Sequence, residues 1–228
     1  MTSVLLLSRN FVRQNRWLLL AFTLWPFLLG AFSWFPHHRA TQEDVADDVR
    51  MEVFYGVVVV TFLTSTAIYN EKRSRRIVGV LSKSVSRFEY LLGLWTGAAF
   101  FAALYFLATC LSVVWLLGPS EAILRIETAL LLGGIGASLW MSAAGLLFST
   151  FLYPFVAATL AGGAAFVPLA LSRPNVVLAP VASLLPTGDP LSADIRWTAL
   201  AIALGESVLF LVLAAQILGH RDLTVSIE

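Results

Sequence analysis

Charge is scarce in this sequence. Charged residues make up 13% of 228 residues, about half the share of roughly 25% found in a soluble domain. Hydrophobic residues reach 58% and the mean hydropathy is +0.82. With apolar runs of about 20 residues, this excludes an ordinary soluble domain and points to an integral membrane protein. Cysteine is nearly missing. Cys110 alone cannot close an internal disulfide, and no Cys/His spacing suits zinc. Inside an apolar run it reads as a small packed side chain. The lysines are Lys72 and Lys83, and neither follows a glycine. The phosphate-cradling pattern G-x-x-x-x-G-K-[ST] is therefore missing, as are H-E-x-x-H and G-x-S-x-G. The expectation is a chain with no catalytic residue, no metal and no cofactor of its own. His37-His38 reads as a metal pair or as a solvated loop end. "SRNFVRQNR" is basic, but too short and too close to apolar sequence to suggest nucleic acid. No period of 20–50 residues repeats, and no tract is of low complexity.

What is present is a series of apolar runs that predicts an all-α, polytopic membrane protein forming one domain over 1–228. Six transmembrane helices are expected at Trp17–Phe35, Val53–Tyr69, Tyr90–Leu117, Ala122–Phe148, Leu152–Leu171 and Ile195–Leu218. About 20 helical residues cross a hydrocarbon core of about 30 Å. The third and fourth runs are longer than that, so they tilt or project beyond the bilayer. Pro168 and Glu206 interrupt the fifth and sixth. Basic residues set the orientation. Arg9, Arg13 and Arg16 precede the first run with no acid among them. Lys72, Arg73, Arg75, Arg76, Lys83 and Arg87, six of fifteen Lys and Arg residues, follow the second. The segment between those two runs is acidic, with Glu43, Asp44, Asp47 and Asp48. Both basic segments and both termini are expected on the cytoplasmic side, and 36–50 outside.

The start of the chain lacks the signs of a cleaved leader: its first run is long, and "SWFPHHR" has no A-x-A-like site. Val4, Leu7 and Phe11 fall on one side at helical spacing, with the arginines largely elsewhere. That suits an interfacial helix over 1–16; the alternative is a longer first span with a solvated start. Small residues in "GGIGAS" and "AGGAA" let helix backbones approach in lipid, either within one subunit or along a pathway or dimer contact. Pro174, Pro180, Pro186 and Pro190 break the apolar segment 173–194. A backbone short of donors cannot cross lipid unprotected, so short outer-face helices or a re-entrant turn are expected there.

The basic stretch "EKRSRRIVGVLSKSVSRFEYLLG" between two apolar runs holds a pattern beyond orientation. Cations just after a helix favour its C-terminus. Ile77, Val80 and Leu81 make a short apolar stripe at i, i+3 and i+4. Ser86-Arg87-Phe88-Glu89 has the S-x-x-E capping-box form, with Val85 and Tyr90 placed as its hydrophobic staple. A helix is expected to start at Ser86. A compact amphipathic loop of this kind fits a partner surface.

At this point the sequence resembles the type-2 ATP-binding-cassette (ABC) permease family. That family's loop reads E-x-E-x-G-T-[LI]-x-x-L-L-[ST]-x-P-[VI]-[ST]-R. Glu71, Ile77, Val80, Leu81, Ser82, Val85, Ser86 and Arg87 match it, followed by Tyr90-Leu91-Leu92-Gly93. Arg75-Arg76 stands where the family has Gly-Thr, Arg73 replaces the second acid, and Ser84 replaces the proline. The resemblance implies a coupling loop over 71–89 that sits on a separate ATPase subunit through Glu71, Arg75, Arg76, Ile77, Val80, Leu81, Ser82, Val85 and Arg87. It further implies ATP and Mg on that subunit, a second permease copy or homologue, membrane lipids as surroundings, and a place in a plasma membrane such as the bacterial inner membrane. The expected function is the permease subunit of an ATP-driven transporter, in the exporting direction.

Glu206 is the acid that lies well inside a predicted span. Intramembrane acids are expensive to bury and are candidates for function. Glu206 reads as a proton site, a part of a substrate path, or a structural hydrogen-bonding group that meets Ser or Thr on a neighbour. A proton-coupled secondary transporter built on Glu206 and a non-transporting membrane scaffold are the rival classes.

Overall fold

The computed structural model describes residues 2–34, 42–73, 85–118, 121–170, 180–185 and 195–220. Among them every element is helical and no strand occurs, as expected. The helices are α1 (Thr2–Gln14), α2 (Arg16–Trp34), α3 (Gln42–Arg73), α4 (Arg87–Leu117), α5 (Glu121–Ser149), α6 (Pro154–Ala170), α7 (Pro180–Leu184) and α8 (Trp197–His220). Four helical stretches are long and apolar enough to cross a membrane: Asp47–Glu71, Arg87–Leu117, Ile126–Ser149 and Trp197–His220. A fifth is added if α1 and α2, bent by 70° at their junction, count as one broken span. The predicted crossing at Leu152–Leu171 corresponds to α6, apolar but only 17 residues long. α8 runs unbroken through Glu206.

The bundle is organised around α5. It packs against α3, α4, α6, α7 and α8, and 83% of its apolar stretch is buried, against 28% for α8. Its small residues explain this position, because lipid supplies no hydrophobic drive between helices and close backbone approach must replace it. A Cβ at Gly133 would sit 2.7 Å from the Leu184 carbonyl oxygen, and one at Gly136 2.5 Å from the Leu200 side chain. "GGIGAS" is thus a packing surface inside this chain. In "AGGAA", Ala161 and Ala165 are buried, whereas Gly162 and Gly163 face open space. Of the proline-rich segment, 180–185 is described. There α7 buries Pro180, Val181, Ala182 and Ser183 against α5, α6 and α8. Arg196 Nη1 donates to the Ser183 carbonyl at 3.1 Å. This short backbone excursion is covered by protein, which is the condition for irregular chain near lipid.

The N-terminal helix packs along α4. Leu7 packs at Gly93, where the Val4 carbonyl also lies, and Phe11 packs at Gly97; an added Cβ would come within 2.6 Å of Leu7 and Phe11 respectively. Phe11 also meets the Phe101 ring edge-on, 6.0 Å between centroids. Successive turns of α1 thus meet successive turns of α4, and the stripe is occupied by a helix. Leu5 and Leu6 are the large apolar side chains that α1 leaves exposed. Past the bend at Asn15, α2 follows the second half of α4. Phe22 stacks on Tyr105 at 4.0 Å, and Ser112 Oγ donates to the Pro26 carbonyl at 3.1 Å. α4 ends at Gly118, whose φ of 78° and ψ of 161° suit glycine only.

Candidate functional site

Of the residues expected to couple the chain to a partner, Glu71, Val85 and Arg87 are described. Arg75, Arg76, Ile77, Val80, Leu81 and Ser82 fall in 74–84, outside the described residues. The two ends of that segment are built as follows. Ser86 is the N-cap of α4, with φ −68° and ψ 150°. Its Oγ accepts from the Glu89 amide at 3.2 Å, and Glu89 Oε2 accepts from the Ser86 amide at 3.0 Å. The reciprocal pair satisfies two amides that the helix itself leaves orphaned. Val85 packs partly buried on the core and Tyr90 is fully buried.

Three helix ends are then joined by side chains. Tyr90 Oη donates to Glu71 Oε2 at 2.5 Å, tying the start of α4 to the end of α3. Arg87 Nη1 donates to the Leu218 carbonyl at 2.7 Å, in the last turn of α8. A carbonyl there has no partner inside its own helix, and a cation beside it also meets the negative end of the helix dipole. Arg87, expected at a partner subunit, thus also makes a bond within the chain through Nη1. Glu71 and Arg87, on either side of 74–84, are thus hydrogen-bonded to α4 and α8 respectively.

The acids within the apolar helices form a second set. Glu206 accepts from Trp140 Nε1–H at 2.6 Å, and Trp140 also meets the Phe210 ring edge-on at 5.3 Å. The partner is an indole on α5, not the hydroxyl expected; Ser207 Oγ turns instead to the Ala203 carbonyl of its own helix at 2.6 Å. Sequence reasoning missed Glu52 and Glu127, both buried. Glu52 sits between α3 and α4, hydrogen-bonded to Thr109, while Tyr105 Oη donates to its carbonyl at 2.9 Å. Glu127 on α5 takes the Cys110 thiol at its carbonyl, 3.5 Å away. A signal for Glu52 existed: Asp44, Asp48 and Glu52 recur every four residues, the spacing of a helix running from the acidic segment into the span. Among the described residues no group of three His, Cys, Asp or Glu side chains is placed to hold a metal.

No family model matches the sequence, and the curated proteins give no match.

Proposed function

We propose that this chain is the permease subunit of an ATP-driven transporter of the type-2 ABC kind, working in the exporting direction beside a separate ATPase that holds ATP and Mg. The observation that carries this reading is the junction: a basic, amphipathic segment whose two ends are fastened to three helices by Tyr90–Glu71 and Arg87–Leu218. A loop that only held its side of the membrane would need charge but no such anchoring. A loop that transmits force needs both a docking stripe, supplied by Ile77, Val80 and Leu81, and stiff attachments. In this reading α2, α3, α4, α5, α6 and α8 are the six crossings of a plasma membrane such as the bacterial inner membrane, with both termini and 74–84 in the cytoplasm. Two copies, or this chain and a homologue, enclose the path, and ATP binding on the paired ATPases alternates its exposure.

The test is purification from the native membrane with identification of co-purifying chains, followed by reconstitution. An ATPase that co-purifies and drives transport supports the reading. Transport that survives ATPase loss but stops when the proton gradient collapses favours the Glu206 secondary transporter. No partner and no turnover favour a scaffold.

A further inference from the structure

Two acids flank one turn of α4. Glu52 on α3 is 3% exposed and Glu127 on α5 is 8% exposed. Thr109 on α4 bonds the Glu52 carboxyl, and the next residue, Cys110, gives its thiol proton to the Glu127 backbone carbonyl. Both carboxyls lie close enough to act electrostatically on the Cys110 sulfur. Glu127 Oε1 is buried without a hydrogen-bond partner. A further donor beside them, Tyr105 Oη, serves the Glu52 backbone carbonyl at 2.9 Å. The thiol and the phenol thus satisfy main-chain oxygens and leave the carboxyls as they are. Among the described side chains neither acid pairs with Lys or Arg; the ion pair on this part of α3 is Arg50 with Asp47, both well exposed.

We propose that Glu52 is a proton-binding site inside the bundle, with Glu127 as its companion carboxyl and Asp48 as its way in from solvent. A bare carboxylate is not held in an apolar interior without a counter-charge, and here no cationic side chain supplies one. A proton supplies it without needing room. A metal ion would need more ligands, and among the described residues no group of three His, Cys, Asp or Glu stands together. The hydrogen bonds favour the same occupant. A hydroxyl has one proton to give. Thr109 Oγ1 gives its own to the Tyr105 carbonyl at 3.2 Å, so in its bond with Glu52 the carboxyl is the donor and carries the proton. Asp48 lies one turn before Glu52, on the same side of α3. It is half-buried, acts electrostatically on Glu52, and stands next to the exposed Asp47. The titratable groups around Glu52 are thus Asp48 on its own helix, Tyr105 and Cys110 on α4, and Glu127 on α5. The step is a reversible transfer: water at the Asp48 end yields a proton to the Glu52 carboxylate and takes it back, and no bond between heavy atoms changes. The site is separate from Glu206 and does not depend on coupling to an ATPase.

The experiment is infrared difference spectroscopy of the full-length protein in detergent, comparing the parent with Glu52→Gln, Glu127→Gln and Asp48→Asn. At neutral pH the parent should show the carbonyl stretch of a protonated carboxyl that Glu52→Gln lacks and that moves on transfer to D2O. Glu127→Gln should keep this band but shift the pH at which it disappears. Asp48→Asn should keep the band and slow its exchange in D2O severalfold. The amides preserve size, and unchanged elution and helical circular dichroism check that each variant folds. A neutral-pH spectrum that Glu52→Gln leaves unchanged overturns the proposal, since Glu52 is then ionised. So does a band that appears only after sodium and calcium are removed, because the occupant is then a metal cation. So does a band that fails to exchange in D2O, because the acid is then closed to solvent. A titration unmoved by Glu127→Gln overturns the companion role, and exchange unaltered by Asp48→Asn overturns the way in.

Discussion

An indole N–H donates and never accepts, so Trp140 holds the Glu206 carboxyl in either protonation state. Glu206→Gln should therefore keep the bond, because the amide oxygen remains an acceptor, and leave thermal stability in detergent nearly unchanged. Glu206→Leu strands the Trp140 N–H, and a buried donor without a partner costs about 1–3 kcal/mol. Trp140→Phe together with Glu206→Leu should recover part of that loss, since both members of the pair are then apolar. If Glu206→Leu is as stable as the parent and fully active, the residue is neither a structural bond nor a proton site. Sequence alone located Glu206, because an acid in a long apolar run stands out. It did not locate Trp140, because the partner lies 66 residues away and nothing in the local pattern distinguishes an indole from a hydroxyl. Glu52 escaped for a different reason: it sits one residue outside the apolar run that defined its span, although its helix begins ten residues earlier, at Gln42.

At the scale of helices, what was legible is what is local. The capping box at Ser86 spans four residues, and its start of α4 is where the structure has it. The Val4, Leu7 and Phe11 stripe was legible as a stripe, since it repeats at helical spacing. Its destination was not, because Gly93 and Gly97 are remote in sequence. Gly93→Leu should expel α1 from α4. The clash involves the Leu7 Cβ, which is rigid on its helix, and overpacking of this kind costs about 1–3 kcal/mol. Protease access to residues 2–14 is the readout; unchanged protection would mean that α1 is not seated there. Arg87 teaches the same lesson over a span of 131 residues. A hydrogen bond from a charged donor contributes about 1.5–3 kcal/mol, so Arg87→Ala should raise amide exchange in the last turn of α8 by about tenfold or more, with Arg87→Lys intermediate. If exchange at 217–220 does not change, the guanidinium does not hold that helix end.

For the whole molecule, hydropathy made the all-α class plain but overcounted what length and composition support. Four helical stretches pass as crossings, five with the α1–α2 pair. The remaining run, α6, is 17 residues long, where about 20 are needed to cross unaided. Run length in sequence does not reveal where a helix stops, and "FSTFLYP" ends α5 in two turn residues before Pro154 opens α6. The proposed orientation is checked with single cysteines in a Cys110→Ala background. A membrane-impermeant reagent added to intact cells should label Thr41→Cys and spare Ser74→Cys; the reverse pattern would turn the protein over.

The central claim is that 74–84 is a handle for a partner ATPase. Ile77, Val80 and Leu81 are too few to form a core of their own. At an interface each would contribute about 1.5–3 kcal/mol by transfer from water, before association costs. The neighbouring Arg75 and Arg76 would add orientation and on-rate more than affinity. The direct measurement is co-purification and ATP-driven transport of the reconstituted complex carrying Ile77→Asp and Leu81→Asp together. The account predicts that the ATPase detaches, or hydrolyses without transport, while the helical fold persists. A double variant that keeps both its partner and coupled transport would contradict it, leaving the basic stretch only its role of holding that loop on one side of the membrane.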